Sequence, residues 1–305
     1  MKTYDCIIVG GGPAGLSAAI YMARFNRSAL VIDGGEGRTT SAQINQNYLG
    51  FPKGIPAKKL SRLGREQAKY FGAKFAADRI LKARKIASGF TLKGENMSYK
   101  SRTLILCTGV KDMYPSFPGL FNYIGKSLFW CIICDGYKTK EKRLVIVGHD
   151  DKAVATATQF INFTCKITFL TNCDEGADHI SKRGLDALKK AKIPVVYGSI
   201  TKIHGKRGML NRIELDNGKI LQADYMFNKQ GYTPNSVLAG QLGAVIEGEG
   251  FIKTDKEQKT SVPLLYAAGD VTSDAAHQII TAAHQGSVAA TSANEDLLLD
   301  FQKED

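Results

Sequence analysis

No run of about 20 apolar residues occurs in the chain, so nothing in it reads as a membrane-spanning helix. It has no low-complexity tract, which argues against a linker-rich or disordered protein. Its basic residues are scattered and form no arginine-rich or aromatic-interleaved patch, so nucleic acid is not the expected partner. A strand beginning at Tyr4 leaves no room for a secretory leader, and the expectation is a soluble, cytoplasmic protein. Acidic residues are comparatively few: 29 Asp and Glu against 41 Lys and Arg leave a net charge of +12. That excess suits either a solvated basic surface or an acidic partner.

What is present points to an α/β protein. A length of 305 residues allows about two domains with sizeable cores, and 31 glycines suit many tight turns. The segment YDCIIVGGGPAGLSAAIYMARFNRSALVID, residues 4–33, opens with an apolar strand that runs into Gly10, Gly12 and Gly15. A helix follows with Ala14, Ala18, Tyr21 and Met22 at helical spacing, then a second strand ends in Asp33. Each part has a physical reason. The glycines close the turn, admit a phosphate against bare backbone and bring helix onto strand. The helix start offers N–H groups to an anion, and Asp33 can accept from ribose hydroxyls. Alone the glycine spacing is weak; within strand, turn, helix, strand and acid it is specific.

Residues 143–170 repeat this plan with RLVIVG, a helix from Lys152 to about Asn162, and KITFL. The expected architecture is therefore two dinucleotide-binding (Rossmann-like) folds, with proline and glycine clusters at 115–119 and 231–234 as linkers. The second turn departs from the first. Gly148 and Ala153 hold the outer fingerprint positions, but Asp150 stands where the middle glycine belongs, and Asp151 follows it. A side chain there blocks backbone approach and its charge repels phosphate; alternatively Asp150 or Asp151 simply caps the helix. Thr171 takes the place of the ribose acid, and no basic cluster follows it in FLTNCDEG. The small residues at 282–283, 286–287 and 289–290 of an Ala-rich C-terminal helix suggest close packing on a sheet or partner helix.

Six cysteines divide into two kinds. Cys6, Cys107, Cys165 and Cys173 are solitary and read as buried small hydrophobes. Cys131 and Cys134 form a C-x-x-C, which in a reducing compartment means metal or redox chemistry. Zinc needs four ligands, and no second Cys/His pair sits at suitable spacing, so no metal site is expected. A redox pair makes chemical sense: one thiolate attacks a disulfide and its near neighbour resolves the mixed disulfide. Asp135 directly afterwards can move protons by general acid–base chemistry. Phe129 and Trp130 beside the pair read as core aromatics.

Taken together, GGGPAG, CIICDGY, CTG and AAGD, in this order along nearly the whole chain, resemble the low-molecular-weight thioredoxin reductases. The resemblance implies an FAD domain made from both chain ends (1–113 and 237–305), a central inserted domain (114–236) and a homodimer. By that likeness, flavin contacts fall on Gly10, Gly12, Pro13, Ala14, Gly15, Asp33, Gly34, Gly35, Gly37, Arg38, Thr39, Thr40, Asn47, Thr108, Gly109, Asp270, His277, Gln278 and Ile279. His277 stands where an arginine is usual. The same likeness has Cys134 face the flavin and Cys131 exchange with the substrate disulfide.

With the second nucleotide turn altered, the chain resembles the pyridine-nucleotide-independent members, whose electrons come from ferredoxin or pass through a second bound FAD. NADPH is not the expected donor, and a thioredoxin-like protein disulfide is the expected substrate. The alternatives are a dithiol oxidase using oxygen, an NADPH-dependent reductase with an atypical site, and a non-enzymatic flavin redox sensor.

Overall fold

The computed structural model describes residues 1–35, 37, 38 and 44–301. It divides into unit 1, Met1–Lys111 with Tyr232–Asp305, and unit 2, Asp112–Gly231. The breaks fall at 111/112 and 231/232, earlier than the expected 113/114 and 236/237. The second shift has a local cause. The Asn235 N–H donates to Gly109 O at 3.0 Å, the Asn235 side-chain amide donates to Thr108 O, and the Tyr232 ring lies 4.5 Å from that of His277. Residues 232–235 thus belong with unit 1.

Unit 1 begins with strand β1 (Thr3–Val9), helix α1 (Pro13–Arg24) and strand β2 (Ala29–Asp33), as the glycine-punctuated sequence predicts. Helix α2 (Ala57–Tyr70) and strands β3 (Lys74–Ala77), β4 (Ile80–Ile86), β5 (Gly89–Gly94) and β6 (Ser98–Leu106) follow. Strands β3, β2, β1 and β6 lie parallel in that order, and the β5–β4 hairpin continues the sheet antiparallel. Alternation along the parallel strands separates two cores. Cys6, Ile8, Val31 and Ile105 face one way, while Ile7, Val9, Leu30, Ile32, Leu104 and Leu106 face the other.

Unit 2 carries β7 (Leu128–Phe129), α3 (Ile132–Asp135), β8 (Leu144–Val147), α4 (Asp151–Gln159), β9 (Ile167–Leu170), α5 (Lys182–Lys190) and β10 (Val195–Val196). An antiparallel set, β11 (Ile200–Lys206), β12 (Met209–Leu215) and β13 (Ile220–Gln222), precedes β14 (Tyr225–Asn228). The main sheet is parallel in the order β7, β14, β8, β9, β10. Its strands are mostly apolar because cores cover both faces. Phe129 is buried, and Trp130 packs partly buried on the adjoining core.

The chain returns to unit 1 with β15 (Leu265–Ala267), parallel to β6, and ends in α6 (Ile279–Phe301). The expected close packing of α6 is present. A Cβ on Gly286 would lie 2.0 Å from Ala14 O, so the helix crosses α1 at backbone contact. Ala282, Ala289, Ala290 and Ala293 are buried in the same core.

Three sequence expectations need correction. Cys165 is exposed and Cys173 half-buried, because each lies at an end of β9 rather than within it. Tyr21 points outward, 43% exposed, while Ala14, Ala18 and Met22 on the same helix are buried. Cys6 and Cys107 are buried as expected, and burial pushes the Cys6 thiol up to about 12 and raises Cys107 as well. Both are chemically silent at neutral pH.

Candidate active site

In unit 1 the first turn is built for an anion. Gly10 adopts φ +110°, and a Cβ on it would lie 2.2 Å from Cys107 O, so only glycine fits. Gly15 is equally constrained: its Cβ would meet Gly10 O at 1.9 Å. Gly12 differs, because nothing lies within 4 Å of where its Cβ would be. It caps α1 without any side-chain acceptor, and Pro13 occupies the first turn. The first N–H groups of α1 therefore face open space, where backbone dipoles favour a phosphate.

Around this turn lie several of the residues that the sequence singles out. Asp33 ends β2; its Oδ1 accepts the Gly35 N–H at 3.2 Å, and its Oδ2 accepts Arg65 Nη2 at 2.6 Å. Each carboxylate oxygen has a second lone pair, so the acid can still accept from a hydroxyl. Gly34 continues directly from Asp33. Gly109, at φ +64°, follows Thr108, whose hydroxyl donates to Asn235 O at 2.7 Å.

From the C-terminal segment, Asp270 accepts Arg38 Nη1 at 2.9 Å. His277 Nδ1 stands 3.7 Å from its other oxygen, beyond hydrogen-bond range, so that contact is electrostatic. Burial pushes the Asp270 carboxyl up, but His277 and Arg38 more than offset this and hold it below the ordinary carboxylate range. Asn47 Nδ2 donates to Gln278 Oε1 at 2.8 Å, and Ile279 opens α6. Thr39 and Thr40 lie outside the described residues, as does Glu36. The uncapped helix start and the open face of Gly12 fit the residues to a flavin dinucleotide.

Sequence reasoning missed Arg65. Its guanidinium also lies 4.5 Å from the Phe75 ring centroid, so α2 delivers a charge to the end of β2. No local pattern marks a pair 32 residues apart.

In unit 2 a disulfide joins Cys131 and Cys134. Cys131 is the N-cap of the short α3, and its sulfur accepts the Cys134 N–H at 3.1 Å. The spacing is what allows this, since an N-cap acceptor reaches the N–H three residues on. Asp135 ends α3 and is mostly buried, and its carboxylate accepts Lys138 Nζ at 2.6 Å. Burial raises the Asp135 carboxyl above its ordinary value, and Lys138 pulls against that rise without cancelling it. Lys138 was also missed, although Asp and Lys three apart is a readable signal.

The second fingerprint turn is closed by the chain itself. Asp150 caps α4, its Oδ1 accepting the Ala153 N–H at 2.8 Å. The segment beyond β9 folds onto the turn: the His179 N–H donates to His149 O at 2.7 Å, and the Ser181 N–H donates to Asp151 Oδ1 at 3.0 Å. Thr171 is buried, with its hydroxyl donating to Cys173 O at 2.9 Å. Among the described residues no group of His, Cys, Asp and Glu could hold a metal ion, and no helix is long and apolar enough to cross a membrane.

Two parallel-sheet folds of the dinucleotide type, one with a redox disulfide at a helix start, define a disulfide oxidoreductase of the two-domain flavoprotein class. The sequence profile of the pyridine nucleotide-disulphide oxidoreductase family matches residues 4–286, and the chain belongs to that family. It is 33% identical to the thioredoxin reductase of Bacillus subtilis over 95% of this chain and 94% of that protein. The thioredoxin reductase of Peptoclostridium acidaminophilum is 30% identical, with 99% of each chain covered. The structure of thioredoxin reductase from Streptococcus pyogenes superposes with a TM-score of 0.90 at 27% identity, over 97% of this chain and 98% of that one. Within the family, this chain is a thioredoxin-reductase-like flavin disulfide oxidoreductase.

Proposed function

We propose that this protein reduces a thioredoxin-like protein disulfide through Cys131 and Cys134, using FAD and a donor other than NADPH. The observation that carries the donor reading is the Asp150 carboxylate on the Ala153 N–H, at the helix end where a pyrophosphate would have to lie. Supporting it are Thr171 in place of a ribose acid and the acidic run Asp174, Glu175 and Asp178 after β9. Reduced ferredoxin or a second bound flavin would supply the electrons, and the net charge of +12 suits an acidic carrier.

FAD, when bound, supplies the electron pair that opens the Cys131–Cys134 disulfide. The residues of the chain do the rest. Two electrons and two protons convert the disulfide to two thiols, and Asp135, next in the chain to Cys134, is placed to move a proton there. Cys131, as thiolate, attacks the partner's disulfide and forms a mixed disulfide. Its sulfur already accepts an N–H, which stabilises negative charge on it. Cys134 then displaces the partner thiol and restores the disulfide. We assign the flavin contacts to the residues around the α1 turn, and place the enzyme in the cytoplasm as a homodimer.

The test is an anaerobic titration of the flavoprotein with NADPH, NADH and reduced ferredoxin, following flavin absorbance. Bleaching by reduced ferredoxin and not by either nicotinamide is the expected result. Rapid bleaching by NADPH would overturn the donor reading. Dithiol-dependent peroxide formation in oxygen would reverse the direction of flow to that of an oxidase.

A further inference from the structure

We infer that Lys138 is a positioning residue for Asp135. It fixes the carboxylate at the end of α3, beside the redox pair, and supplies the positive charge against which that acid exchanges its proton.

The geometry is local and complete. Residues Gly136–Thr139 form a tight three-residue-per-turn helix directly after α3. In such a turn side chains three apart stand one above the other, which brings Lys138 over Asp135. Two features lock the turn. The Thr139 hydroxyl donates to Gly136 O at 2.7 Å, and a Cβ on Gly136 would press to 3.1 Å from Ile132 and 3.2 Å from Phe163. Lys138 Nζ lies 2.6 Å from Asp135 Oδ1 and 4.6 Å from the Phe129 ring centroid, with Tyr137 at 5.9 Å. Side-chain exposures of 27% for Lys138 and 13% for Asp135 leave the pair largely shielded from water. The neighbouring elements present Phe129, Phe163 and Ile132 to this turn. Lys138 is the charged group that acts on the Asp135 carboxyl.

A carboxyl this shielded, next in the chain to a sulfur that becomes a thiolate, would hold its proton too firmly to return it. An ammonium at contact distance counters this and keeps the acid able to cycle. Through Asp135, which can then take a thiol proton, it also favours thiolate at the pair, which must ionise to attack a disulfide. Lys138 acts through Asp135, its contact at 2.6 Å.

This inference rests on Asp135 acting as the proton carrier, and the experiment separates the two. The FAD-loaded protein is reduced with dithiothreitol, freed of reductant anaerobically and alkylated with iodoacetamide across a pH series. Modification of Cys131 and Cys134 is resolved by mass spectrometry. Lys138→Met should move the pH midpoint of alkylation up by about one unit, and Lys138→Arg should restore it. Asp135→Asn should alter the profile by itself, and adding Lys138→Met to it should shift it little further. An unchanged midpoint in Lys138→Met with an altered profile in Asp135→Asn overturns the role of Lys138 and leaves that of Asp135. An unchanged profile in Asp135→Asn, with undiminished turnover on a protein disulfide, overturns both. A midpoint that Lys138→Arg fails to restore also counts against the proposal, since charge is what it invokes. Lys138→Gln gives the same test should the methionine variant not fold.

Discussion

Asp150 Oδ1 accepts the Ala153 N–H at 2.8 Å, whereas Gly12, at the matching position of the first fold, leaves the N-terminus of α1 open. One helix start is capped by a side chain of its own segment; the other has no side-chain cap. A phosphate approaching α4 would displace the cap and meet a carboxylate. At about 5 Å and an effective dielectric near 20 that repulsion costs roughly 3 kcal/mol, more than a hundredfold in affinity.

Asp150→Ala should lower the stability of unit 2 by about 1 kcal/mol, the ordinary worth of an N-cap, and Asp150→Gly by a few tenths. Neither should create useful NADPH affinity, because Thr171 and the acidic run beyond it remain. Urea denaturation and calorimetric titration with NADPH check the two halves. Micromolar affinity in the unmodified protein would sink the account.

Gly12→Asp should strip the flavin. The substitution would introduce at α1 the carboxylate that α4 already carries, with open space for it to turn onto the helix N–H groups. The folded protein should then purify colourless, with its circular dichroism unchanged. A variant that stays fully yellow would mean the flavin lies elsewhere.

Asp270 gives a pH dependence with a definite sign. Its carboxyl is held below the ordinary range, about 3.9 for aspartate, so it binds its proton less readily folded than unfolded. The stability it contributes is fully present above the unfolded value and is lost as pH falls through the depressed folded one. Asp270→Asn should cost about 1–3 kcal/mol at neutral pH, the penalty for a buried partner removed from Arg38. The gap between variant and parent should close in strong acid. Urea midpoints measured from neutrality downward test this, and a constant gap across the series would contradict it.

The parts legible in the sequence were those set by neighbours in the chain. Apolar runs, glycine spacing and helical periodicity specify β1, α1, β2, β8, α4 and β9, because each depends on residues a few positions apart. The sequence allowed Asp150 a capping role, and the geometry shows that role. What sequence could not give were meetings between distant segments. Arg38 with Asp270 spans 232 positions, Arg65 with Asp33 spans 32, and His179 on His149 depends on how the loop after β9 folds back. Cys165 was misplaced for a related reason: its apolar neighbours suggest burial, but the strand begins only at Ile167.

The redox pair yields an asymmetric prediction. Cys131→Ser and Cys134→Ser should each abolish disulfide reduction while retaining FAD, because exchange needs both sulfurs and the proposed flavin residues lie around α1. The two variants should differ in what they trap. In Cys134→Ser the remaining Cys131 keeps its place at the start of α3, where the residue 134 N–H can stabilise its thiolate. It can attack a partner disulfide, but nothing resolves the product, so a mixed disulfide with thioredoxin should accumulate. Cys131→Ser lacks the attacking sulfur and should trap far less. Non-reducing gel electrophoresis with intact-mass measurement reads the outcome directly. Preferential trapping by Cys131→Ser would exchange the roles of the two cysteines, and near-normal turnover in either variant would remove the pair from the reaction.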